Sequence, residues 1–137
     1  GAGGGMLLGV DLIKDRATLE AAYDDAAGVT AAFNLNLLHR INRELDADID
    51  VDRFEHRAVF NPDCHRVEMH LVSKAAQTLD IAGARIRFDA GETIHTECSY
   101  KYELDDFAKL AGRAGWSVRD VWTDPERRFS VQWLARG

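Results

Sequence analysis

The sequence predicts a chain of the α/β class. Within this chain the arrangement is α+β, because the apolar patterns typical of helices and of strands occupy separate segments. Residues 6–12 form a nearly continuous apolar run, residues 17–45 place apolar side chains at helical spacing, and residues 55–96 alternate apolar with polar side chains. Another helical segment and a hairpin pattern close the chain. We therefore expect three helices combined with strands that are mostly antiparallel.

Length, charge and cysteine content exclude several classes of protein. The 137 residues are the length of one typical domain, and 46% hydrophobic with 29% charged residues is ordinary for a globular protein. The net charge of −6 argues against nucleic acid as a partner, since no basic excess can neutralise phosphates. No apolar run is long enough to cross a membrane. With only Cys64 and Cys98 and no signal peptide, we expect a cytoplasmic protein without a structural disulfide.

The first elements are a strand and two helices. Residues 6–12 predict a strand that is buried on both faces in a parallel sheet. Asp15 is expected to cap a helix over residues 17–25, and Thr30 is expected to cap a second helix. The predicted buried face of the second helix consists of Phe33, Leu37, Leu38, Ile41 and Leu45. Its predicted solvated face consists of Asn34, Arg40, Arg43 and Glu44.

The middle of the chain predicts an acidic loop and an antiparallel meander. Residues 46–52 alternate acidic with apolar side chains, but Val51 and Arg57 stand where a calcium loop starting at Asp46 needs Gly and Glu. Four short strands are expected after it, at residues 57–60, 66–72, 77–81 and 85–88. In the second of these strands Met69 points towards whatever lies beneath the sheet.

A cluster of possible metal ligands lies at the start of this meander. It consists of Cys64, His65, Glu68 and His70. A zinc site with so few close ligands usually needs further Cys or His residues at familiar spacings, and none is present. We therefore expect no metal.

The chain ends with a helix and a hairpin. Apolar residues at helical spacing predict a helix over residues 105–114, which Gly115 ends. Residues 116–122 and 129–134 alternate as two strands, and the residues between them favour a turn.

Polar side chains are dense in residues 91–102, just before the last helix. Glu97 and Ser99 are two positions apart, so in an extended backbone they point to the same side. A carboxylate beside a hydroxyl suits a small ligand with N–H donors, such as an imidazole. The alternative interpretation is an exposed strand end followed by a helix cap, with Ser99 capping and Tyr102 packing.

Several segments resemble the histidine-specific N-alpha-methyltransferases of the ergothioneine pathway, which have the class I S-adenosylmethionine-dependent fold. They are LGVDLIKD at residues 8–15, AYDD at 22–25, GVTAAFN at 28–34, EMHL at 68–71 and GETIHTECSYK at 91–101. The five motifs occur in the family's order along nearly the whole chain. Residues 3–8 resemble the fifth strand of that fold, and residues 105–114 with the final hairpin resemble its last helix and strands six and seven.

The resemblance implies a division of the chain and a set of binding residues. Residues 1–14 and 101–137 would belong to the methyltransferase core, and residues 15–100 would form an inserted substrate domain. Tyr23 would contact the carboxylate of histidine, Glu97 and Ser99 would hold its imidazole, and Met69 would line the ring pocket. No residue of the chain is expected to be catalytic, because methyl transfer needs positioning of the amine and no covalent intermediate.

The methyl donor, S-adenosylmethionine, would bind in a missing N-terminal half. The chain has no glycine-rich turn after a strand, and the run at residues 1–5 precedes a strand instead. We therefore expect a C-terminal fragment of a larger enzyme, inactive alone and prone to self-association because residues 6–12 would lose the strand on one side. Strand seven would lie on the other side. The alternatives are the same family acting on another amino acid, such as a tryptophan derivative, and a non-catalytic binding domain.

Overall fold

The computed structural model describes residues 3–137, which form eight strands and three α-helices. The elements are β1 (Gly5–Asp11), α1 (Arg16–Tyr23), α2 (Val29–Leu45), β2 (Phe54–Asn61), β3 (Arg66–Ser73), β4 (Gln77–Ile81), β5 (Ala84–Phe88), β6 (Thr93–Tyr100), α3 (Leu104–Arg113), β7 (Trp116–Thr123) and β8 (Phe129–Arg136). A single 3₁₀ turn, Val51–Arg53, precedes β2. The mixed α/β class and the three predicted helices are confirmed.

The chain divides into two compact units. Unit 1 contains Gly1–Asp15, Pro62–Arg66 and Tyr100–Gly137, and unit 2 contains Arg16–Asn61 and Val67–Ser99. The division into a methyltransferase core and a substrate domain at residues 14/15 and 100/101 stays a prediction, and the placement of residues 62–66 in unit 1 was not predicted from the sequence. Of the glycine-rich start, residues 1 and 2 lie outside the described part of the chain.

Unit 1 contains a three-stranded sheet in the order β1-β8-β7, with β1 antiparallel to β8 from Gly5↔Ala135 to Asp11↔Phe129. The hairpin of β7 and β8 is confirmed, and its turn is held by the Asp124 carboxylate, which accepts the backbone N–H of Arg128 and of Phe129. Among the described residues, β1 therefore lies at one edge of the sheet. Its neighbour β8 is the last strand of the chain.

The two faces of this sheet differ in character. One face packs on α3 through a core of Val10, Phe107, Ala111 and Leu134. The other carries exposed apolar side chains, including Leu7 (63% exposed) and the rings of Phe129 and Trp133. The expectation that β1 is buried on both faces is therefore wrong for this chain, because its side chains alternate between core and solvent.

Glycines in β1 make room for the exposed rings. A Cβ at Gly5 would overlap the indole of Trp133, and one at Gly9 would lie 2.7 Å from the Phe129 ring. The rings thus lie directly on the β1 backbone. This arrangement explains two glycines inside a strand, where glycine otherwise weakens the strand.

Unit 2 has a sheet of three strands in the order β2-β3-β6 and a separate hairpin of β4 and β5. Its main core consists of Leu38, Ile49, Phe54, Leu71, Leu79 and Phe88. The predicted strands are present, but the single meander is wrong. The fifth strand of the unit, β6, takes the place beside β3 that a meander would give to β4.

Helix α2 exists as predicted, but its orientation and its cap differ from the prediction. Asn34 and Leu38 are its buried residues, whereas Phe33 is 68% exposed. The N-cap position of the helix is occupied by Gly28, which has no side chain to accept a hydrogen bond. The carboxylate of Asp25 accepts hydrogen bonds from the backbone N–H groups of Val29 and Thr30 instead. These bonds, that of Thr30 most of all, lower the pKa of Asp25 to about 2. The side chain that caps the first turn is thus that of Asp25, four residues before Val29, and Thr30 is not the cap.

The remaining expectations about general class concern membranes and cysteines. None of the helices formed by residues 3–137 has the length and apolar character that a transmembrane span requires. Cys64 and Cys98 are both exposed, and no disulfide joins them.

Candidate functional site

The predicted binding segment forms β6, and its alternation changes phase in the middle. The partly buried positions are Ile94, Thr96 and then Ser99, while Glu97 and Cys98 are both exposed. A strict period of two would have placed Cys98 with Thr96. Glu97 and Ser99 therefore differ in burial, and each has its own surroundings.

Ser99 meets Tyr23. The hydroxyl of Tyr23, the last residue of α1, lies 2.6 Å from the hydroxyl of Ser99 in β6. The tyrosine also packs against a small core of Leu19, Ala58, Phe60 and Val67. The structure thus brings together two of the four predicted binding residues, which are 76 positions apart in sequence. Ser99 does not cap α3, whose N-cap is Glu103.

The backbone of Tyr23 is held by a histidine and an asparagine. The carbonyl of Tyr23 lies 2.7 Å from His56 Nε2, and His56 Nδ1 lies 3.0 Å from the amide nitrogen of Asn34. Since a carbonyl only accepts and an amide NH₂ only donates, His56 must be protonated on Nε2 and bare on Nδ1. The same amide also donates to the carbonyl of His70 at 3.3 Å. A buried network therefore connects α1, α2, β2 and β3.

Glu97 lies at a pocket between α2 and β6. The pocket measures about 240 Å³. It is lined by Phe33, Asn34, Asn36, Leu37 and Arg40 of α2 and by Thr96 and Glu97 of β6. A cavity of this size suits a small metabolite, since pockets for drug-sized ligands start near ~300 Å³. The pocket offers apolar side chains, one carboxylate and one guanidinium, which matches an amino acid with a polar ring.

Met69 is buried in β3, and Glu97 is the one predicted binding residue among those that line this pocket in the described chain. The link to Met69 runs through Thr96, whose hydroxyl donates to the Met69 carbonyl at 3.0 Å. Thr96 in turn lines the pocket. Met69 therefore lies directly behind one wall of the pocket, with its side chain in the interior.

Sequence reasoning missed Phe33, Asn34, His56 and Arg40. Phe33 was assigned to the core and Arg40 to the solvated face, and both line the pocket. Asn34 is only 4% exposed, although an asparagine in the middle of a helix usually points to solvent. The signal available in the sequence was its position among apolar residues at the end of the motif GVTAAFN, residues 28–34, which carries part of the family resemblance. His56 carried none, because it precedes the residues that were recognised as a strand.

In unit 1, a buried ion pair anchors the residue that follows β6. The side chain of Lys101 is fully buried, and its Nζ lies 2.8 Å from Asp11 Oδ2, while Lys14 binds the other carboxylate oxygen. Burial alone would raise the pKa of Asp11, but the hydrogen bonds and charges of Lys101 and Lys14 outweigh it, so the pKa is lowered. The Asp11 carboxylate is therefore ionised and shared by two lysines.

The described residues do not fit S-adenosylmethionine as this fold binds it. That mode of binding needs a glycine-rich turn between a strand and a helix. The strand-to-helix connections here are residues 12–15 after β1 and residues 101–103 after β6, and neither contains a glycine. Gly3 and Gly5 lead into β1 instead. Within residues 3–137, no glycine-rich strand-to-helix turn accompanies the pocket of unit 2.

Comparison with known proteins identifies the family of the chain. A family model described as histidine-specific methyltransferase, SAM-dependent, matches residues 1–136. The chain is 45% identical over 136 residues to a histidine N-alpha-methyltransferase of Mycolicibacterium smegmatis and 42% identical to one of Mycobacterium tuberculosis. Each match covers 98% of this chain but 42% of the relative, so the chain spans about two fifths of the length of these relatives. The chain belongs to the family of SAM-dependent, histidine-specific methyltransferases.

Proposed function

We propose that this chain supplies part of the amino-acid site of a longer enzyme, which methylates the α-amino group of histidine with S-adenosylmethionine. The observation that carries the proposal is that β6 carries both Ser99, which contacts Tyr23, and Glu97, which lines the pocket. The hydroxyl contact of Tyr23 with Ser99 ties α1 to β6, and two residues before Ser99 the carboxylate of Glu97 opens onto the pocket. The names of the two relatives agree with this chemistry.

Each of the four residues has a proposed role in binding histidine. Glu97 accepts a hydrogen bond from an imidazole N–H, since an ionised carboxylate is an acceptor only. Ser99 completes recognition of the ring, because its hydroxyl can donate to the second ring nitrogen. Tyr23 contacts the carboxylate of the substrate, and the bond of its carbonyl to His56 holds the backbone from which the side chain extends. Met69 shapes the ring pocket from behind Thr96.

The parts of the chain have separate proposed tasks. Residues 15–100 form the inserted substrate domain, and residues 1–14 and 101–137 belong to the methyltransferase core. In that core β1 corresponds to the fifth strand, α3 to the last helix, and β7 and β8 to strands six and seven. S-adenosylmethionine supplies the methyl group and binds in a part of the enzyme that this chain does not cover.

The contribution of this chain to the reaction is positioning. Two anchors on the imidazole and one on the carboxylate fix the direction of the α-amino group, and orientation of this kind can supply a large share of rate acceleration. Water is displaced from the pocket by the ring, which strengthens the hydrogen bond to Glu97. The chain alone is proposed to be inactive. Its cytoplasmic location stays a prediction.

A second proposal concerns the chain when it is isolated. The uncovered face of the β1-β8-β7 sheet carries Leu7, Phe129 and Trp133, and β1 is an edge strand in the described part of the chain. Exposed apolar surface and an open strand edge both favour association with another chain. We propose that the isolated chain self-associates.

The functional proposal is tested in the full-length protein encoded by the same gene. Histidine, tryptophan and phenylalanine are incubated separately with S-adenosylmethionine, and methylated products are measured by mass spectrometry. We expect trimethylated or partly methylated histidine. Methylation of tryptophan in preference to histidine would support the alternative acceptor, and no product with any of the three would favour a non-catalytic binding domain.

The role of Glu97 is tested by calorimetry on the same protein. The Glu97→Ala variant should bind histidine more weakly by about 1.5–3 kcal/mol, the contribution of a hydrogen bond to a charged group. Glu55→Ala, which removes an exposed carboxylate of β2, is the matched control and should bind histidine normally. Unchanged histidine affinity in Glu97→Ala would contradict the assignment of the imidazole site.

A further inference from the structure

We propose that Glu68, His70 and His95 bind one Zn²⁺ ion on the sheet of unit 2. One ligand atom from each of these residues lies within 4.8 Å of the other two. Glu68 and His70 are two positions apart on β3, so they share a face, and His95 comes from the neighbouring strand β6. The three side chains therefore converge without any change in the backbone.

The donor set is that of a zinc site with an open position. Two imidazole nitrogens and one carboxylate oxygen are ligands that Zn²⁺ uses together, with water as the fourth ligand. Mg²⁺ prefers oxygen ligands and should not compete. Glu68 and His70 are partly buried and His95 is exposed, so an ion can enter from the side of His95. Two ligands are thus held firmly and one can move.

The separation of two of the ligand atoms already fits a metal. His70 Nε2 lies 3.3 Å from Glu68 Oε2, and Asn61 donates to the other carboxylate oxygen at 3.1 Å, which fixes the orientation of the carboxylate. Ligand atoms around tetrahedral Zn²⁺ are about 3.4 Å apart, from bond lengths of about 2.0–2.1 Å. The ion therefore fits between the two atoms as they stand.

Binding would change the tautomer of His70 without breaking another bond. The ring proton that Nε2 now shares with Glu68 moves to Nδ1, and Nε2 gives its lone pair to the ion. Nδ1 is buried and has no hydrogen-bond partner within residues 3–137, so after the shift it is a buried donor without an acceptor, a cost that the metal–ligand bonds have to outweigh. A 3.3 Å hydrogen bond is exchanged for two metal–ligand bonds.

His95 must turn to complete the site. Its ring stacks on that of His70, with centroids 4.6 Å apart and planes at 21°, whereas a metal ion lies in the plane of each imidazole that binds it. Turning breaks two contacts of Nε2, one to the Glu97 carbonyl at 3.0 Å and one to Cys98 Sγ at 3.2 Å. Because His95 is exposed, water can replace them.

The sequence did not predict the site of Glu68, His70 and His95. The only candidate cluster in the sequence was Cys64, His65, Glu68 and His70, whose spacing predicted no metal. The third ligand comes from a different strand, which only the fold reveals. A bound ion would tie β3 to β6, the strands that carry Met69 and Glu97. The site is independent of the proposed methyltransferase function, because none of its ligands is assigned to histidine binding.

The test is titration of the untagged, chelator-treated chain with ZnCl₂ and, separately, with MgCl₂ by calorimetry. We expect one Zn²⁺ per chain, a higher melting temperature with Zn²⁺, and no response to Mg²⁺. His95→Ala removes an exposed side chain and should weaken Zn²⁺ binding at least about 100-fold, since even loss of an outer-sphere partner of a metal ligand costs 10–100-fold. His70→Ala should have the same effect, provided its circular dichroism shows a folded chain.

The matched control is His39→Ala, an exposed histidine of α2 outside the cluster, which should bind Zn²⁺ as the wild type does. Changes in the ring ¹⁵N shifts of both His70 and His95 on adding one equivalent of Zn²⁺ would support the site directly. No Zn²⁺ binding by the wild type, unaltered binding by His95→Ala, or loss of binding in His39→Ala would overturn it.

Discussion

The ion pair of Lys101 with Asp11 allows an asymmetric prediction about stability. Lys101 is fully buried, whereas the Asp11 side chain is 28% exposed and also binds Lys14. Asp11→Asn leaves a buried ammonium without its carboxylate, which costs about 3–5 kcal/mol when a buried pair is broken. Lys101→Met leaves a carboxylate that keeps water and one lysine, so the expected cost is about 1–3 kcal/mol. Asp11→Asn should therefore be the more destabilising change.

The assay is urea unfolding followed by circular dichroism at low protein concentration. With an m-value of about 2 kcal/mol/M, the midpoint of Asp11→Asn should fall by roughly 2 M and that of Lys101→Met by about 1 M. The double variant should be more stable than the sum of the two single changes implies, because it removes both charges together. Lys109→Met, which breaks an exposed pair with Asp106, is the control and should leave the midpoint unchanged.

The pH dependence provides an independent check of the same pair. The pKa of Asp11 is lowered in the folded protein, so the pair stabilises the fold above the carboxyl's unfolded pKa and loses this contribution as pH falls through the folded value. The wild type should therefore lose more stability in acid than Lys101→Met does. Greater destabilisation by Lys101→Met than by Asp11→Asn, or strictly additive single changes, would refute the reasoning.

Three further predictions concern the helix cap, the methyl donor and association. Because Asp25 has a pKa of about 2 in the fold against an ordinary 3.8, its cap is expected to be lost as pH falls through that interval; Asp25→Asn should make stability less dependent on pH there, and an unchanged pH profile would contradict the cap. Calorimetry of the chain with S-adenosylmethionine should show no binding, and stoichiometric binding would mean that the donor site was misplaced. Sedimentation over a wide concentration range should show oligomers of the isolated chain that weaken when Leu7 and Trp133 are replaced by Ser, whereas a wild-type monomer at high concentration would exclude self-association.

Elements with local causes could be predicted closely from sequence. Helix α3 was expected over residues 105–114 and occupies Leu104–Arg113, with Gly115 in the left-handed region at φ 79°. The hairpin of β7 and β8 follows from alternation and from Asp124, whose carboxylate closes the turn. Each of these features is decided by residues that are neighbours in sequence. Helix α3 and the β7–β8 hairpin can therefore be predicted from the sequence alone.

Pairings between distant segments could not be predicted in the same way. Strand β6 lies beside β3, and the intervening β4 and β5 pair with each other, although nothing in their alternation distinguishes this from a meander. The alternation of apolar and polar residues predicts which side chains of a strand share a face, but it does not predict which strands pair with each other in the sheet. The same limit hid the cluster of Glu68, His70 and His95, which depends on the pairing of β3 with β6.

The orientation of α2 shows that the hydrogen bonds of one polar residue can decide which face of a helix is buried, even when more apolar residues lie on another face. Val29, Phe33 and Leu37 form a stripe along one side and are exposed, while the helix turns Asn34 and Leu38 inward. The Asn34 amide donates to His56 Nδ1 and to the His70 carbonyl, and these bonds hold Asn34 on the inner side of the helix. An exposed apolar stripe of this kind is typical of surfaces that bind ligands or partner proteins.

The two exposed apolar surfaces of the chain have a common physical meaning. In unit 1 it is the sheet face of Leu7, Phe129 and Trp133, and in unit 2 it is the α2 stripe of Phe33 and its neighbours. Burying a large apolar side chain is worth about 1.5–3 kcal/mol, so leaving several exposed would forfeit a large part of a typical stability of about 5–15 kcal/mol. The relatives are more than twice as long as the matched region, and we propose that further protein covers these surfaces in the longer enzyme and that a second copy covers them in the isolated chain.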